Sequence, residues 1–571
     1  MKKSSDPLLR LTIIMALCMV VAGSVLPIAE APMHQPPIYT PSCPEASYPD
    51  TAALLAALSG ANYACTEELA KALQTRVGIN EIDVLLTMIQ RGTHELERRN
   101  AVRVLGRLAA SPQASRASDL VLRVRAARVQ SVLHELLAHA DDNFLLQDAI
   151  WVLDSYFYPN FSAAPVFERI ANAPTLAPAL RYRAASARGR LTLARSGVLH
   201  PDDQAFMLHG LRSDDPGVRT AAAQVIARLR TDQLGLELIA TLTHALEEAW
   251  KVEPPLTLVD DAPDPRDRGL LASYESSPSS LTARAALARA RDRLEGGTTH
   301  LTSLRQQYEF LTLTERSEHD GVSIRAGLAA DEIAALLREV THVREALLHI
   351  FGPNLAEPMD AKGTRTLQIK IFARQGIYRD YVRAFTPFTV DVDGLYDDAN
   401  TIIYTHQRTS EQSANSLVES LRHEVAHHYA ATHLFPGQWR TPGYHREPKG
   451  WADEGLAEVM AGLTASGPAP RPAQLRRLCE RTPRPRLKVL LAQREGYDRF
   501  GTFDYDAAWA FTYYLVTEQP EALQRLYTAY REHRYHLRDW SQLAGLNLEE
   551  TERAWHRAIE TWCIGQRAGS D

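Results

Sequence analysis

The chain is 571 residues long, 23% charged and 45% hydrophobic, with a formal net charge of -6. That is about three or four domains' worth of sequence, too long for one core, and its composition is that of ordinary globular protein. No long Lys/Arg run is present, so the usual electrostatic footprint of a nucleic-acid partner is excluded.

In chain order, Lys2, Lys3 and Arg10 precede an uncharged apolar run from Leu11 to Ile28, the layout of a secretory signal peptide. Residues 1–31 are therefore expected to direct export, with cleavage near Gly23. The run is almost long enough to span a bilayer, so an uncleaved membrane anchor is the alternative. Cys18 follows Leu17 rather than a small residue, which argues against a lipoprotein site. Beyond the leader stand Cys43, Cys65, Cys479 and Cys563, an even set that reads as disulfides in an exported protein. Proximity favours Cys43 with Cys65 and Cys479 with Cys563, although other pairings are open.

Residues 51–300 read as helical. Four segments, 97–108, 145–156, 180–191 and 218–229, can be superimposed, each with Ala at its fifth residue and a small or aliphatic residue at its eighth. Their irregular period of about 40 residues is that of HEAT or armadillo repeats, helix pairs that bury a shared core by stacking; a non-repetitive helical domain is the alternative. Residues 253–280, rich in Pro, Asp and Ser, read as a linker or long surface loop. The stretch 305–571 changes character. A helix is expected over 329–351, then strands at 367–372, 390–396 and 401–404, which predict an α+β domain. The strand holding Gly394 to Tyr396 is a candidate edge for binding an extended peptide through its main chain.

Residues 421–428, LRHEVAHH, carry HExxH within a Pro- and Gly-free run whose Leu417, Leu421 and Val425 recur every four positions, as on a helix with one buried face. His423 and His427, one turn apart, can hold one Zn²⁺, and Glu424 can deprotonate the attacking water. Downstream, residues 451–458, WADEGLAE, form a second short helix rich in carboxylates. Glu454 is the expected third ligand. Glu458, one turn later, is placed to accept the free ring N–H of His423 or His427 and fix its tautomer. The bland alternative makes Glu454 and Glu458 a solvated acidic face. His433 and His445 read as surface or supporting residues.

Residues 421–462 resemble the peptidase domain of the microbial collagenases, the M9 family of secreted gluzincin metallopeptidases. The likeness includes Pro436 to Trp439 between the two motifs, the step from His427 to Glu454, and Ala457 followed by Glu458. It reaches from Gly394 to Asp398 through Phe503 to Tyr505 and on to Gly545 to Asn547. The resemblance implies His423, His427 and Glu454 as Zn²⁺ ligands, Glu424 as general base, and a structural Ca²⁺ near Gly394 to Asp398. Asp398 stands where the family has a ligating Glu; a surface-turn Asp is the plainer alternative. Two departures matter. Phe500 stands where the family's Tyr would steady the tetrahedral intermediate, so Tyr497, Tyr505 or a His would have to take over, or activity is weaker. The chain also ends at Asp571, without room for the family's collagen-recruiting domains, so peptidase activity is a firmer expectation than collagen specificity.

The expected fold class is multidomain, an all-α HEAT/armadillo-like N-terminal domain plus an α+β thermolysin-like peptidase domain. The expected function is a secreted zinc metalloendopeptidase acting on collagen, gelatin or another extracellular polypeptide. The alternatives are a gluzincin acting on non-collagen proteins, an aminopeptidase, or a helical-repeat binding protein with a vestigial zinc site.

Overall fold

The computed structural model describes residues 79–568 apart from 93–94, 110–119, 140–142, 196–198, 257–277, 353–356, 360–364, 389–391, 411, 414, 440–443, 445–446 and 494–502. The leader, Cys43, Cys65, most of the 253–280 stretch, His445, Tyr497 and Phe500 lie outside the described residues.

The four superimposable segments are helices that pack in succession: α1 (Glu95–Ala109) on α2 (Asn143–Tyr156), α2 on α3 (Pro178–Ala194), and α3 on α4 (Pro216–Ile226). Their aligned alanines Ala101, Ala149, Ala184 and Ala222 are all fully buried, because a methyl at the contact lets two helix backbones approach closely. Charged pairs close the joints as well. Arg99 and Arg103 reach Asp148 at 3.0 and 3.1 Å, joining α1 to α2. Arg181 of α3 lies 3.2 Å from Asp215, whose Oδ1 also caps α4 by accepting the Val218 amide. Such buried charges are tolerated because each is paired and hydrogen-bonded. Helix α5 (Ser280–Glu295) packs on α4 and on α6 (Thr299–Thr312), carrying the row to the sheet.

The sheet begins with a hairpin, β1 (Glu315–His319) and β2 (Val322–Ala326), followed by α7 (Ala330–Phe351), β3 (Leu367–Phe372), α8 (Gln375–Phe385), β4 (Gly394–Asp397) and β5 (Ile402–His406). Its order is β1-β2-β3-β5-β4, with β2, β3 and β5 parallel and both outer pairs antiparallel. The hairpin is absent from the sequence reading. Its signal was Asp320 followed by Gly321, both at positive φ (46° and 78°), as a type I′ turn requires. Strand β3 falls where expected, whereas the 390–396 strand is described over Gly394–Asp397.

Alternation along β3 divides the layers. Ile369 and Ile371 enter one core with Val340 of α7, while Phe372 enters another with Tyr308 of α6 and Tyr381 of α8. Lys370, also buried, lies 2.7 Å from Glu309 of α6 and 2.9 Å from the Tyr381 hydroxyl. On the Ile369 side the chain continues through α9 (Leu417–Tyr429), α10 (Gly450–Ala461), α11 (Pro472–Glu480), α12 (Tyr505–Glu518), α13 (Pro520–Arg531) and α14 (Leu548–Ala568). Among the described residues no helix is long and apolar enough to cross a membrane.

A disulfide joins Cys479 of α11 to Cys563 of α14. It spans 84 residues of sequence, and a loop of that size restricts the unfolded chain enough to stabilise the fold by about 2–4 kcal/mol. The double substitution Cys479→Ala with Cys563→Ala is expected to lower the thermal midpoint by several degrees without changing the far-UV circular dichroism.

Candidate metal centre

Helix α9 starts with a capping box: the Ser416 hydroxyl accepts the Glu419 amide at 3.2 Å, and the Glu419 carboxylate accepts the Ser416 amide at 2.7 Å. Two of the helix's first orphan donors are thereby satisfied, and the start of the helix is fixed. Leu417, Leu421 and Val425 then face the core, His423 and His427 reach α10, and Glu424 lies toward strand β4. Helix α10 presses Trp451, Leu456, Val459 and Met460 into the same core and presents Asp453, Glu454 and Glu458 to α9. Its distance from α12 is set by Gly455: a Cβ there would stand 2.3 Å from Thr512 Oγ1 and 2.6 Å from the Ala508 carbonyl oxygen.

The structure brings His423, His427 and Glu454 together, and among the described residues they are the group of His, Cys, Asp and Glu able to hold a metal ion. His423 Nε2 and His427 Nε2 are 3.1 Å apart, and each lies 3.5 Å from Glu454 Oε2. A tetrahedral ion held at about 2.0–2.2 Å, the range for zinc on imidazole and carboxylate, spaces its ligand atoms about 3.3–3.6 Å apart. The triangle fits that size.

The tautomers make the same point by a separate route. His423 Nδ1 lies 3.3 Å from Glu458 Oε1, and His427 Nδ1 lies 2.7 Å from Asp453 Oδ1. A carboxylate does not donate here, so each Nδ1 carries a proton, and each ring aims its Nε2 into the triangle, where the lone pair is available once that nitrogen is deprotonated. Two imidazoles and a carboxylate at this spacing call for positive charge among them, from ring protons in the metal-free protein or from a metal ion. Burial by itself disfavours a charged ring, yet Glu454 and Glu458 outweigh it and hold the His423 pKa up to about 9. His427 is raised as well, against burial, chiefly by Asp453 and Glu454. Glu454 is lowered in turn: burial opposes its charge, and the two histidines overcome it.

Glu458 is buried, and the side chains of Arg471 and Gln474, at the start of α11, both donate to its Oε2. The expected acceptor role of Glu458 therefore falls on His423. Asp453, Arg471 and Gln474 escaped the sequence reading. Asp453 could have been suspected from its place just before Glu454 on a helix facing α9, whereas nothing local marks the two α11 residues.

Glu424 is buried and its pKa is raised, first by burial and then by the Glu454 charge, with the two histidines acting in the opposite sense. Its carboxylate lies against Gly394 of edge strand β4, where a Cβ would stand 2.9 Å from Oε1. Asp398 is placed differently: its Oδ2 accepts the Trp439 amide at 2.8 Å, tying the turn after β4 to the loop after α9. His433 is buried, with Nδ1 2.8 Å from Thr432 Oγ1 and its carbonyl accepting from Arg531, a supporting position. Tyr505 is 38% exposed and rests on Phe503 at the start of α12.

A helix-borne His-His-Glu triangle beside a carboxylate and the outer strand of a sheet is the architecture of a metal-dependent hydrolase. Residues 269–555 match the family model Peptidase_M9, described as collagenase, so the chain belongs to the M9 collagenase family of peptidases. It is 27% identical over 256 residues to collagenase ColQ1 of Bacillus cereus (strain Q1), covering 42% of this chain and 26% of that protein. It is 28% identical over 142 residues to collagenase ColT of Clostridium tetani (strain Massachusetts / E88), covering 24% and 14%. Over 137 residues it is 30% identical to collagenase ColA of Clostridium perfringens (strain 13 / Type A), covering 23% and 12%. The aligned region thus spans about a quarter or less of the length of these relatives.

Two outcomes follow from the geometry. Asp453→Asn and Glu458→Gln should each weaken metal affinity about 10–100-fold, because each loosens one ring's orientation; competition with a chelating dye measures it. For the metal-free protein the sign follows from a folded His423 pKa of about 9, above the ordinary value of about 6.5. The stability this adds is full below about pH 6.5 and is lost as pH rises through about 9. Thermal midpoints of chelator-treated protein should fall over that window, and metal-loaded protein should not show the fall.

Proposed function

We propose that this protein is a secreted zinc metalloendopeptidase of the microbial collagenase type, hydrolysing internal peptide bonds of collagen, gelatin or similar extracellular polypeptides. The observation that carries this reading is the inward-facing triangle of His423, His427 and Glu454, with both histidine tautomers fixed from behind by carboxylates. These three residues would hold the zinc. When bound, zinc supplies Lewis acidity, polarising the scissile carbonyl and making water in the site acidic enough to ionise near neutral pH.

The remaining steps belong to the chain. Glu424, buried beside the triangle, takes a proton from the attacking water and delivers it to the leaving amine, a transfer favoured by a carboxylate pKa raised toward the working pH. Strand β4, the sheet's outer strand, offers main-chain donors and acceptors to an extended substrate. Asp453 and Glu458 keep both rings oriented through the cycle. Tyr505 is a candidate for steadying the intermediate in place of the family's Tyr. A Ca²⁺ near Gly394 to Asp398 belongs to the same reading and would share the Asp398 carboxylate with the Trp439 amide.

The region from 51 to 300 we take to be a HEAT/armadillo-like domain that guides substrate to a peptidase domain at 305–571, and residues 1–31 to be the export signal. Because the alignment spans so little of the collagenase relatives, a non-collagen protein substrate is the second reading.

The test compares the parent protein with Glu424→Ala on native triple-helical collagen, gelatin and casein, with zinc content recorded. The substitution is expected to lower cleavage by several orders of magnitude while zinc stays bound. Cleavage of native collagen by the parent establishes a collagenase. Cleavage of gelatin or casein alone retains the zinc peptidase and removes collagen, and absence of cleavage from zinc-loaded protein rejects the proposal.

A further inference from the structure

Three successive turns of α9 hold the edge strand. Ser420, Glu424 and His428 are spaced four apart and share one face, rising about 6 Å per step. Gly394 and Tyr396 of β4 lie two apart on one face of the strand, about 6.8 Å per step, so strand and helix can touch in register. The middle contact is Glu424 against Gly394, where there is room for no side chain. At one end Tyr396 Oη lies 3.1 Å from His428 Nδ1, and the two rings meet edge to face.

Arg408, which follows β5, makes the other end. Its side chain is wholly buried. Nη1 donates to Ser420 Oγ at 2.8 Å, and Nη2 donates to the Asp393 carbonyl oxygen at 2.8 Å and to Thr405 Oγ1 at 2.5 Å. Nε and Nη2 both reach the His406 carbonyl oxygen, at 3.1 and 3.0 Å. One planar fork therefore joins α9, the residue preceding Gly394, and β5, a geometry that a lysine cannot reproduce.

We propose that Arg408 and Tyr396 are positioning residues that fix the gap between edge strand β4 and Glu424, and through it the placement of the substrate backbone against the general base. This rests on the peptidase reading above. Neither residue needs to touch the scissile bond. A displacement of about 1 Å between a bound substrate and a catalytic group can cost up to about 100-fold in rate, whereas main-chain pairing with β4 tolerates such a shift.

The experiment measures kcat and KM on an internally quenched peptide for the parent, Tyr396→Phe, Arg408→Lys and Glu424→Ala, with zinc content and thermal midpoint for each. Cleavage by the parent that is lost in Glu424→Ala tests the peptidase reading separately from this one. With that reading intact, kcat should fall about three- to tenfold in Tyr396→Phe and at least about tenfold in Arg408→Lys, with KM within about twofold and zinc retained. Unchanged kcat in Tyr396→Phe and Arg408→Lys overturns the proposal, as does a loss that disappears when rates are normalised to zinc-loaded, folded enzyme. If Arg408→Lys does not fold, Tyr396→Phe removes a single hydroxyl and decides alone.

Discussion

Two imidazole nitrogens and a carboxylate oxygen, held 3.1 to 3.5 Å apart, call for positive charge among them, which ring protons supply when no metal is bound. Much of the C-terminal half can be understood as the frame that keeps these atoms at that spacing. Helix α9 cannot rotate because three aliphatic residues anchor its inner face, and α10 cannot retreat because Gly455 seats it directly on α12. The rings cannot flip because Asp453 and Glu458 hold their outer nitrogens, and Glu458 is itself fixed by Arg471 and Gln474. The arrangement is one of stored electrostatic demand in a packed frame, which is how a site becomes preorganised for a cation it does not build from backbone.

The chemistry-bearing residues were legible because each is tied to a short-range pattern. HExxH needs one helical turn, and the apolar four-residue repeat of Leu417, Leu421 and Val425 shows which side of that turn is inside. Strand β3 was legible for a similar reason, since Leu367, Ile369 and Ile371 alternate with Gln368 and Lys370. Of the residues that orient the ligands, Glu458 was legible from its place one turn beyond Glu454, whereas Asp453, Arg471 and Gln474 were not, because their partners are fixed by tertiary packing. Asp453 is recognisable as His427's partner only once α10 lies beside α9, and Arg471 reaches Glu458 from another helix. The β1–β2 hairpin went unread because its strands, ERSEH and VSIRA, are short and largely polar, leaving a two-residue turn as the sole mark.

The helical row shows a comparable division. Its small residues follow helical spacing, so their burial could be anticipated from Ala101, Ala149, Ala184 and Ala222. The charged stitching between helices could not. Arg99, Arg181 and Arg219 look like solvated surface residues in a sequence rich in arginine, yet each is buried against an acidic residue further along the chain, Asp148, Asp215 and Glu253 respectively.

Strand β4 runs for four residues, about 13 Å of edge. A guest chain can lie along so short a ledge only singly and stretched out, because a helix or a bundle of strands has already committed its own backbone groups. On the docking proposed above, a structured substrate must therefore fray before it can be held, and the encounter selects melted stretches before it selects sequences. The rate-limiting property of such a substrate would be how often it breathes, so that warming the substrate and altering the enzyme become interchangeable ways of changing turnover.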